Sequence, residues 1–177
     1  MLLAVDRRPA LEGLILSAPL LKIPDRLFPV LRYVAVFVGR LFPRLRVTRL
    51  GTRNLSRDPQ VVAAFEADPL NFHGRFPVRT GAEILRAVRR IRRRMEAVEP
   101  PLLLLHGTGD VVTDPEGSRR LHARAASKDK TLQLYEGLYH DLLHEPEWKE
   151  VLDDVLAWID ARVPSATLPA GNTSGNG

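Results

Sequence analysis

The chain has 177 residues, a length typical of one globular domain, and its 45% hydrophobic and 27% charged residues exclude a disordered or fibrous protein. Its 26 Lys and Arg against 21 Asp and Glu give a net charge of +5, which permits contact with acidic surfaces without requiring it. Because there is no Cys, disulfides, thiolate nucleophiles and Cys-based metal sites are excluded. No leader is visible, and Pro29 and Arg32 interrupt the longest apolar stretch, so we expect a soluble, cytoplasmic protein.

The first predicted element is a short buried strand, GLILS at residues 13–17, which is closed by Pro19. From residue 20 to about residue 100, apolar residues recur at helical spacing and no convincing strand alternation is present. One amphipathic helix is predicted there, with arginines on most of its remaining circumference. Its apolar stripe consists of Ile84, Leu85, Val88, Ile91 and Met95.

After residue 101 the pattern changes to alternating strands and helices. LLLLH at residues 102–106 is a continuous apolar run, typical of a parallel strand covered on both faces, and KTLQLY at residues 130–135 is the next strand. Between them, Asp114 with the following Pro and Glu predicts a helix start, and this helix is expected to run to about Ala126. A last helix is predicted to open at Pro146. This order argues for an α/β fold with a parallel sheet.

Two titratable residues follow successive strands of this sheet. Asp110 comes four residues after the second strand and His140 five residues after the third, and such loops gather functional groups at the carboxyl ends of the strands. An Asp followed by a His is the chain order of the last two members of a Ser-Asp-His triad, in which imidazole takes the serine proton and the carboxylate orients it. By spacing alone, Asp110 is equally well interpreted as a turn residue.

The amino-acid sequence of these loops is more specific than the spacing of Asp110 and His140. The segment LLLLHGTGDVVTDPEGSRRLHARAASKDKTLQLYEGLYHDLLHEP, together with LILSAP and NLSRDPQVVAAFEADPL upstream, resembles the monoacylglycerol lipase and lysophospholipase-like family of α/β hydrolases. The resemblance implies that Asp110 is the triad acid and His140 the triad base, that the reaction is carboxylic-ester hydrolysis of a monoacylglycerol-like lipid, and that no cofactor is needed. It further implies the C-terminal half of the hydrolase core at residues 1–19 and 101–163 and a helical cap at 20–100. The polar residues 164–177 are expected to form a disordered tail.

The sequence departs from this family at the nucleophile. The family carries a G-x-S-x-G elbow ahead of the LILSAP strand, whereas none of the serines of this chain stands in that motif: Ser17, Ser56, Ser118, Ser127, Ser165 and Ser174. Ser118 is expected to cap a helix or face solvent. We therefore expect a truncated or inactive hydrolase, whose first strand lacks its inner neighbour and exposes an edge for self-association. The alternatives, in order, are a non-catalytic lipid-binding or regulatory module and a basic protein that binds nucleic acid or another anionic surface.

Three further patterns allow other interpretations. HDLLH, from His140 to His144, is one substitution from a zinc signature, but a full helix is not expected there and no third ligand stands out. The arginine-rich helix is interpreted as a solvated cap face; without interleaved aromatic residues, nucleic acid is not an expected partner. The apolar segment Leu27–Leu45, which carries several arginines, is expected to pack against the hydrolase core and acyl pocket, with reversible contact to a membrane surface as the second role.

Overall fold

The computed structural model describes residues 1–7, 10–22, 41–42, 44–48 and 51–163. The predicted tail at 164–177 and most of the apolar segment Leu27–Leu45 lie outside the described residues. The described elements, in chain order, are α1 (Leu2–Arg7), β1 (Leu14–Ser17), β2 (Arg46–Thr48), α2 (Pro59–Ala67), β3 (Phe76–Pro77), α3 (Val78–Arg92), a 3₁₀ turn (Met95–Ala97), β4 (Leu102–Gly107), α4 (Glu116–Arg124), β5 (Lys130–Tyr135), a second 3₁₀ turn (Leu142–His144) and α5 (Trp148–Asp160).

Three strands form one parallel sheet in the order β1-β4-β5. Its register pairs Leu14 with Leu102 and Leu102 with Lys130. Every residue of the central strand β4 is buried, as expected for a parallel strand that is covered on both faces. The predicted α/β fold with three parallel strands is confirmed.

Successive side chains of β4 point to opposite faces of the sheet, so the core has two layers. Helices α1, α3 and α4 contribute to the first layer, whose buried residues are Val5, Leu21, Ile91, Met95, Val98, Leu102, Leu104, Leu121 and Ala125. Helix α5 covers the second face, where the buried residues are Leu103, Leu105, Tyr135, Leu138, Leu142, Val151 and Trp158. Asp110 and His140 follow β4 and β5 at the open end between these layers.

The arginine-rich helix α3 keeps most of the expected apolar stripe and extends it toward the start of the helix. It begins at Val78, and Val78, Ala82, Val88 and Ile91 are its buried residues. Ile84, which was expected to be buried, is 42% exposed. Val88, Ile91 and Met95 of the expected stripe are buried, and Val78 and Ala82 continue the inward face toward the start of the helix, which is therefore amphipathic.

Several elements differ from the sequence predictions. The short helix α1 was not predicted, although its Val5 is completely buried in the first core layer. The antiparallel pair β2–β3 lies within a stretch that was expected to contain no strand. Helix α4 starts where predicted, with Asp114 Oδ1 accepting the Glu116 amide at 2.9 Å, but it ends at Arg124. Helix α5 begins at Trp148, two residues later than expected.

Strand β1 occupies one edge of the sheet as far as the described residues show, since none of them pairs with its other side. Ile15 on this strand is 36% exposed and Ser17 is also exposed, whereas the corresponding side chains of β4 are buried. This edge therefore carries apolar surface and backbone groups that no described strand covers.

Among the described residues, no helix combines the length and the apolar character needed to cross a bilayer.

Candidate active site

The structure brings Asp110 and His140 into contact. Asp110 Oδ2 lies 2.8 Å from His140 Nδ1, within the distance of a charge-assisted hydrogen bond. The two residues are 30 positions apart in the chain, and they meet because β4 and β5 are neighbouring parallel strands whose carboxyl ends share one rim. The remaining ring nitrogen of His140, Nε2, has no hydrogen-bond partner among the described residues.

The loop after β4 holds the Asp110 carboxylate through backbone amides. Oδ1 accepts hydrogen bonds from the amides of Val112 at 2.7 Å and Thr113 at 2.9 Å, which is an Asx-type turn. The loop also runs against the chain after β5: a Cβ added at Gly107 would collide with the carbonyl of Leu138. Only glycine permits this close approach, which places the two site loops side by side.

The other oxygen of Asp110, Oδ2, faces three side chains. Besides His140, it accepts the Thr113 hydroxyl at 2.7 Å and lies 3.3 Å from Nε2 of His106. The Asp110 side chain is 0% exposed. Burial by itself raises the pKa of this carboxyl, but hydrogen bonds from His106, His140 and Thr113 outweigh burial and hold the pKa well below its ordinary value. Asp110 is therefore an ionised carboxylate at neutral pH.

His106 and Ser118 form a buried pair behind the carboxylate. His106 is 0% exposed, and its Nδ1 lies 2.7 Å from the hydroxyl of Ser118, which is also 0% exposed. The expectation that Ser118 caps a helix or faces solvent is therefore wrong: the side chain points inward from α4 and binds the imidazole. When Ser118 donates to Nδ1, the proton of His106 is on Nε2, which lies 3.3 Å from Asp110 Oδ2 and 3.2 Å from the hydroxyl oxygen of Thr113.

The sequence analysis assigned no site role to His106 and missed its contact with Asp110. One signal was available. A polar side chain at the end of an apolar run that is predicted to be buried on both faces must find a hydrogen-bond partner. The nearest acidic residue after that run is Asp110.

The two histidines on Asp110 differ in accessibility. The side chain of His140 is 27% exposed, whereas that of His106 is 0% exposed. Both ring nitrogens of His106 have partners within the buried network. Of the two rings, His140 is the one that presents a nitrogen toward the surface, where a reacting group can reach it.

The zinc interpretation of HDLLH meets two contrary observations. The chain from Leu142 to His144 forms a 3₁₀ turn rather than a helix, and His144 pairs with Asp141 at 3.0 Å while His140 binds Asp110. Across the described residues, no group of three or more His, Asp or Glu side chains is placed to hold a metal ion.

Among the described serines, none is hydrogen-bonded to His140, and three are engaged elsewhere. Ser56 donates to the carbonyl of His144 at 2.7 Å, Ser127 donates to the carbonyl of Asp129 at 2.8 Å, and Ser118 binds His106. Ser17 ends β1, and no hydrogen bond joins it to His140. The remaining two, Ser165 and Ser174, lie outside the described residues.

A parallel sheet with an aspartate and a histidine paired across adjacent strand-end loops is typical of an α/β hydrolase. The profile of the family described as "Serine aminopeptidase, S33" matches residues 1–147. The chain therefore belongs to this family of α/β hydrolases.

Its similarity to known lipases is substantial. The monoacylglycerol lipase of Mycolicibacterium smegmatis is 42% identical over 148 residues, covering 84% of this chain and 53% of that protein. The monoglyceride lipase of Mus musculus is 33% identical over 168 residues, covering 93% of this chain and 55% of that protein. The crystal structure of the Paleococcus ferrophilus monoacylglycerol lipase matches with a TM-score of 0.83 at 32% identity, over 90% of this chain and 63% of that one. The chain thus spans about half the length of the curated relatives it matches.

Proposed function

We propose that this chain supplies the acid and the base of a serine carboxylic-ester hydrolase that acts on monoacylglycerol-like lipid esters. The hydrogen bond of 2.8 Å between Asp110 Oδ2 and His140 Nδ1 carries the proposal. It holds the proton on Nδ1 and leaves Nε2 as the basic nitrogen. The lipid-ester substrate class is supported by similarity to relatives named monoacylglycerol and monoglyceride lipases.

In the proposed reaction, Nε2 of His140 takes the proton of a serine hydroxyl as its oxygen attacks the ester carbonyl. The same nitrogen then gives this proton to the departing alcohol, which leaves an acyl-enzyme. A water molecule, deprotonated by Nε2, attacks the acyl-enzyme carbonyl. As the bond to the serine oxygen breaks, Nε2 returns the proton to that oxygen, which releases the fatty acid and restores the serine hydroxyl. Asp110 stays ionised throughout and stabilises the imidazolium, so these steps need no metal or organic cofactor.

We infer that the nucleophile is not part of these residues, because no serine of the 177 stands in G-x-S-x-G. The chain alone is then expected neither to react with a serine-directed fluorophosphonate probe nor to hydrolyse a short-chain ester. Probe labelling that disappears in His140→Ala would contradict this inference, since it would reveal an active serine within the chain.

A chimera tests the roles of Asp110 and His140 directly. The part of the Mycolicibacterium smegmatis lipase that matches this chain is replaced by residues 1–163, and monoacylglycerol hydrolysis is measured. His140→Ala and Asp110→Asn are each expected to lower kcat on the order of 10,000-fold, the usual loss for a triad member. The matched control is His144→Ala, an exposed histidine of the same loop, which is expected to leave kcat unchanged. An active chimera that keeps its rate after His140→Ala would refute the assignment.

Lipid binding without turnover is the second candidate, and an exposed apolar groove favours it. The groove has a volume of about 1250 Å³ and is rimmed by Arg44 and Arg79. Its large apolar side chains are all exposed: Leu41, Phe42, Leu45 and Ile84. Flotation with phosphatidylglycerol vesicles at low salt is expected to carry the chain upward, and Phe42→Asp is expected to reduce this fraction. Leu70→Asp, at an exposed leucine outside the groove, is the control. If neither the wild type nor this control floats with the vesicles, lipid binding is removed as a candidate function.

Self-association through β1 is proposed on the edge described above. A second copy that pairs along residues 14–17 would satisfy the outward backbone groups and cover Ile15. Sedimentation velocity is expected to show a concentration-dependent dimer that Ile15→Lys weakens. A sharp, concentration-independent thermal transition of a monomer would contradict it. Nucleic acid is not an expected partner, and cytoplasmic location stays a prediction.

A further inference from the structure

The loop that carries His140 is held by a segment far from it in sequence. Residues 55–58 lie between β2 and α2, within the predicted cap insertion. The carbonyl of Leu55 accepts the amide of Asp141 at 2.8 Å, and the Ser56 hydroxyl donates to the carbonyl of His144 at 2.7 Å. Segment 55–58 therefore contacts the base-bearing loop on both sides of its 3₁₀ turn.

Glu145 is the centre of this contact. Its side chain is 0% exposed, and its Oε2 accepts Arg57 Nε at 2.7 Å. Its Oε1 accepts the amide of Tyr139 at 2.9 Å and the amide of Arg57 at 3.2 Å. Arg57 also pairs with Glu147, so its guanidinium joins two carboxylates of the same loop. A buried carboxylate with this many donors is one whose position is fixed.

The consequence for His140 follows from its neighbours in the chain. The amide of Tyr139, the residue before it, is bound by Glu145, and the amide of Asp141, the residue after it, is bound by Leu55. The peptide group that follows the histidine, and the one that precedes Tyr139, are thus anchored to the same small cluster. The direction in which the imidazole leaves the backbone, and hence its distance to Asp110, depends on these anchors.

We propose that Arg57 and Glu145 are positioning residues for His140. Their ion pair, in which the carboxylate is buried and the guanidinium is partly exposed, couples segment 55–58 to the orientation of the base. This inference deepens the proposed function and rests on it, because it takes His140 to be the catalytic base. Neither residue reaches the reacting atoms; they act through the backbone on either side of the imidazole. A change in the placement of segment 55–58 is transmitted to the His140–Asp110 hydrogen bond through this pair.

The test observes that hydrogen bond by NMR in this chain, without requiring activity. The Nδ1 proton of His140 is assigned by its absence in His140→Ala, and its rate of exchange with water is measured. In Arg57→Met, which keeps the length of the side chain but removes its charge and donors, exchange is expected to rise by about ten-fold or more, because hydrogen bonds to a buried carboxylate are lost. Arg124→Met, which breaks the exposed pair with Glu96, is the matched control and is expected to leave the rate unchanged.

Arg57→Met leaves the buried carboxylate of Glu145 without its cation, which can destabilise the loop by itself. Glu145→Gln therefore provides a second test of the positioning role. The amide oxygen still accepts from Tyr139 but no longer attracts the guanidinium, so a smaller rise in the exchange rate is expected. The methyl resonances of β4 and β5 are expected to stay unchanged, which shows that the sheet remains folded. Wild-type exchange in both variants would overturn the proposal, and so would loss of the signal in Arg124→Met to the same degree.

Kinetics in the chimera separate this proposal from the proposed function. Arg57→Met is expected to lower kcat with little change in KM, because the proposed role of the pair is to hold the base and not to bind substrate. A chimera that never hydrolyses ester, with the NMR effect present, contradicts the proposed function alone. Full kcat with unchanged proton exchange in Arg57→Met contradicts the positioning role alone.

Discussion

Replacing Asp110 by Asn tests the charge of this carboxylate at nearly constant shape. In Asp110→Asn the Oδ1 atom remains to accept the amides of Val112 and Thr113, so the turn is retained. At Oδ2, however, an NH₂ group meets the hydroxyl of Thr113 at 2.7 Å and Nδ1 of His140 at 2.8 Å. Both were donors to the carboxylate, so the substitution sets donor against donor at the centre of the site.

The size of the effect follows from these two contacts. Each hydrogen bond to a charged group contributes about 1.5 to 3 kcal/mol, but the Thr113 hydroxyl rotates and the His140 ring changes tautomer, which restores part of each contact. We therefore expect a loss of about 2 to 3 kcal/mol in the free energy of unfolding. For a chain of this length that corresponds to a fall in Tm of about 4 to 12 °C.

Thermal unfolding followed by circular dichroism, at neutral pH and one fixed protein concentration, measures this difference. Asp153→Asn, at an exposed position of α5, is the matched control and is expected to leave Tm unchanged. Because the folded-state pKa of Asp110 lies below the ordinary 3.8, the stabilisation is present above that value and is lost as the pH falls through the folded-state pKa. An equal Tm for Asp110→Asn and Asp153→Asn would refute the description of Asp110 as a buried, hydrogen-bonded carboxylate.

Three further substitutions probe the surroundings of the site. Ser118→Ala removes the hydroxyl that binds His106 Nδ1 and is expected to lower the free energy of unfolding by about 1 to 3 kcal/mol in denaturant titrations; no change would mean that the buried ring has another partner. Tyr135→Phe deletes the hydrogen bond to the Asp154 carboxylate at 2.8 Å, with an expected loss of about 1.5 to 3 kcal/mol in the same titrations. An ultraviolet pH titration of the wild type is expected to show one phenol ionising late, because burial and Asp154 raise the pKa of Tyr135. Gly137→Ala places a side chain at φ 73° and is expected to cost about 1 to 2 kcal/mol by the same titration, whereas an unchanged midpoint would show that the turn relaxes.

The sheet was predictable because its strands are long and strongly patterned. LLLLH is apolar at each position but the last, which only a strand covered on both faces explains, and the bounds of β5 at Lys130–Tyr135 agree with the prediction. The pair β2–β3 was missed because strands of three and two residues are too short to display alternation. Helix α1 was missed because six residues offer less than two turns of pattern, and its Val5 is buried only through tertiary packing.

The candidate site was only partly predictable for a related reason. Asp110 and His140 stand at strand ends, where the topology of a parallel sheet brings them together, so chain order was enough to predict that they meet. Ser118 was misassigned because its position near the start of α4 indicated a cap, although it stands three residues before the buried Leu121 and therefore on the same helix face. The contact of Arg57 with Glu145 joins residues 88 positions apart and is not encoded in any local pattern.

The buried network contains a second line of serine, histidine and aspartate, and its geometry argues against a catalytic role for it. Ser118 lies 2.7 Å from Nδ1 of His106, and Nε2 of the same ring lies 3.3 Å from Asp110. All three side chains are without solvent exposure, so an ester carbonyl has no approach to the Ser118 oxygen. The ring is also reversed: a triad base receives the serine at Nε2 and the carboxylate at Nδ1, the orientation that His140 has toward Asp110. The inner line therefore donates hydrogen bonds into the carboxylate from behind, which keeps Asp110 ionised and fixed while its outer side is left to His140.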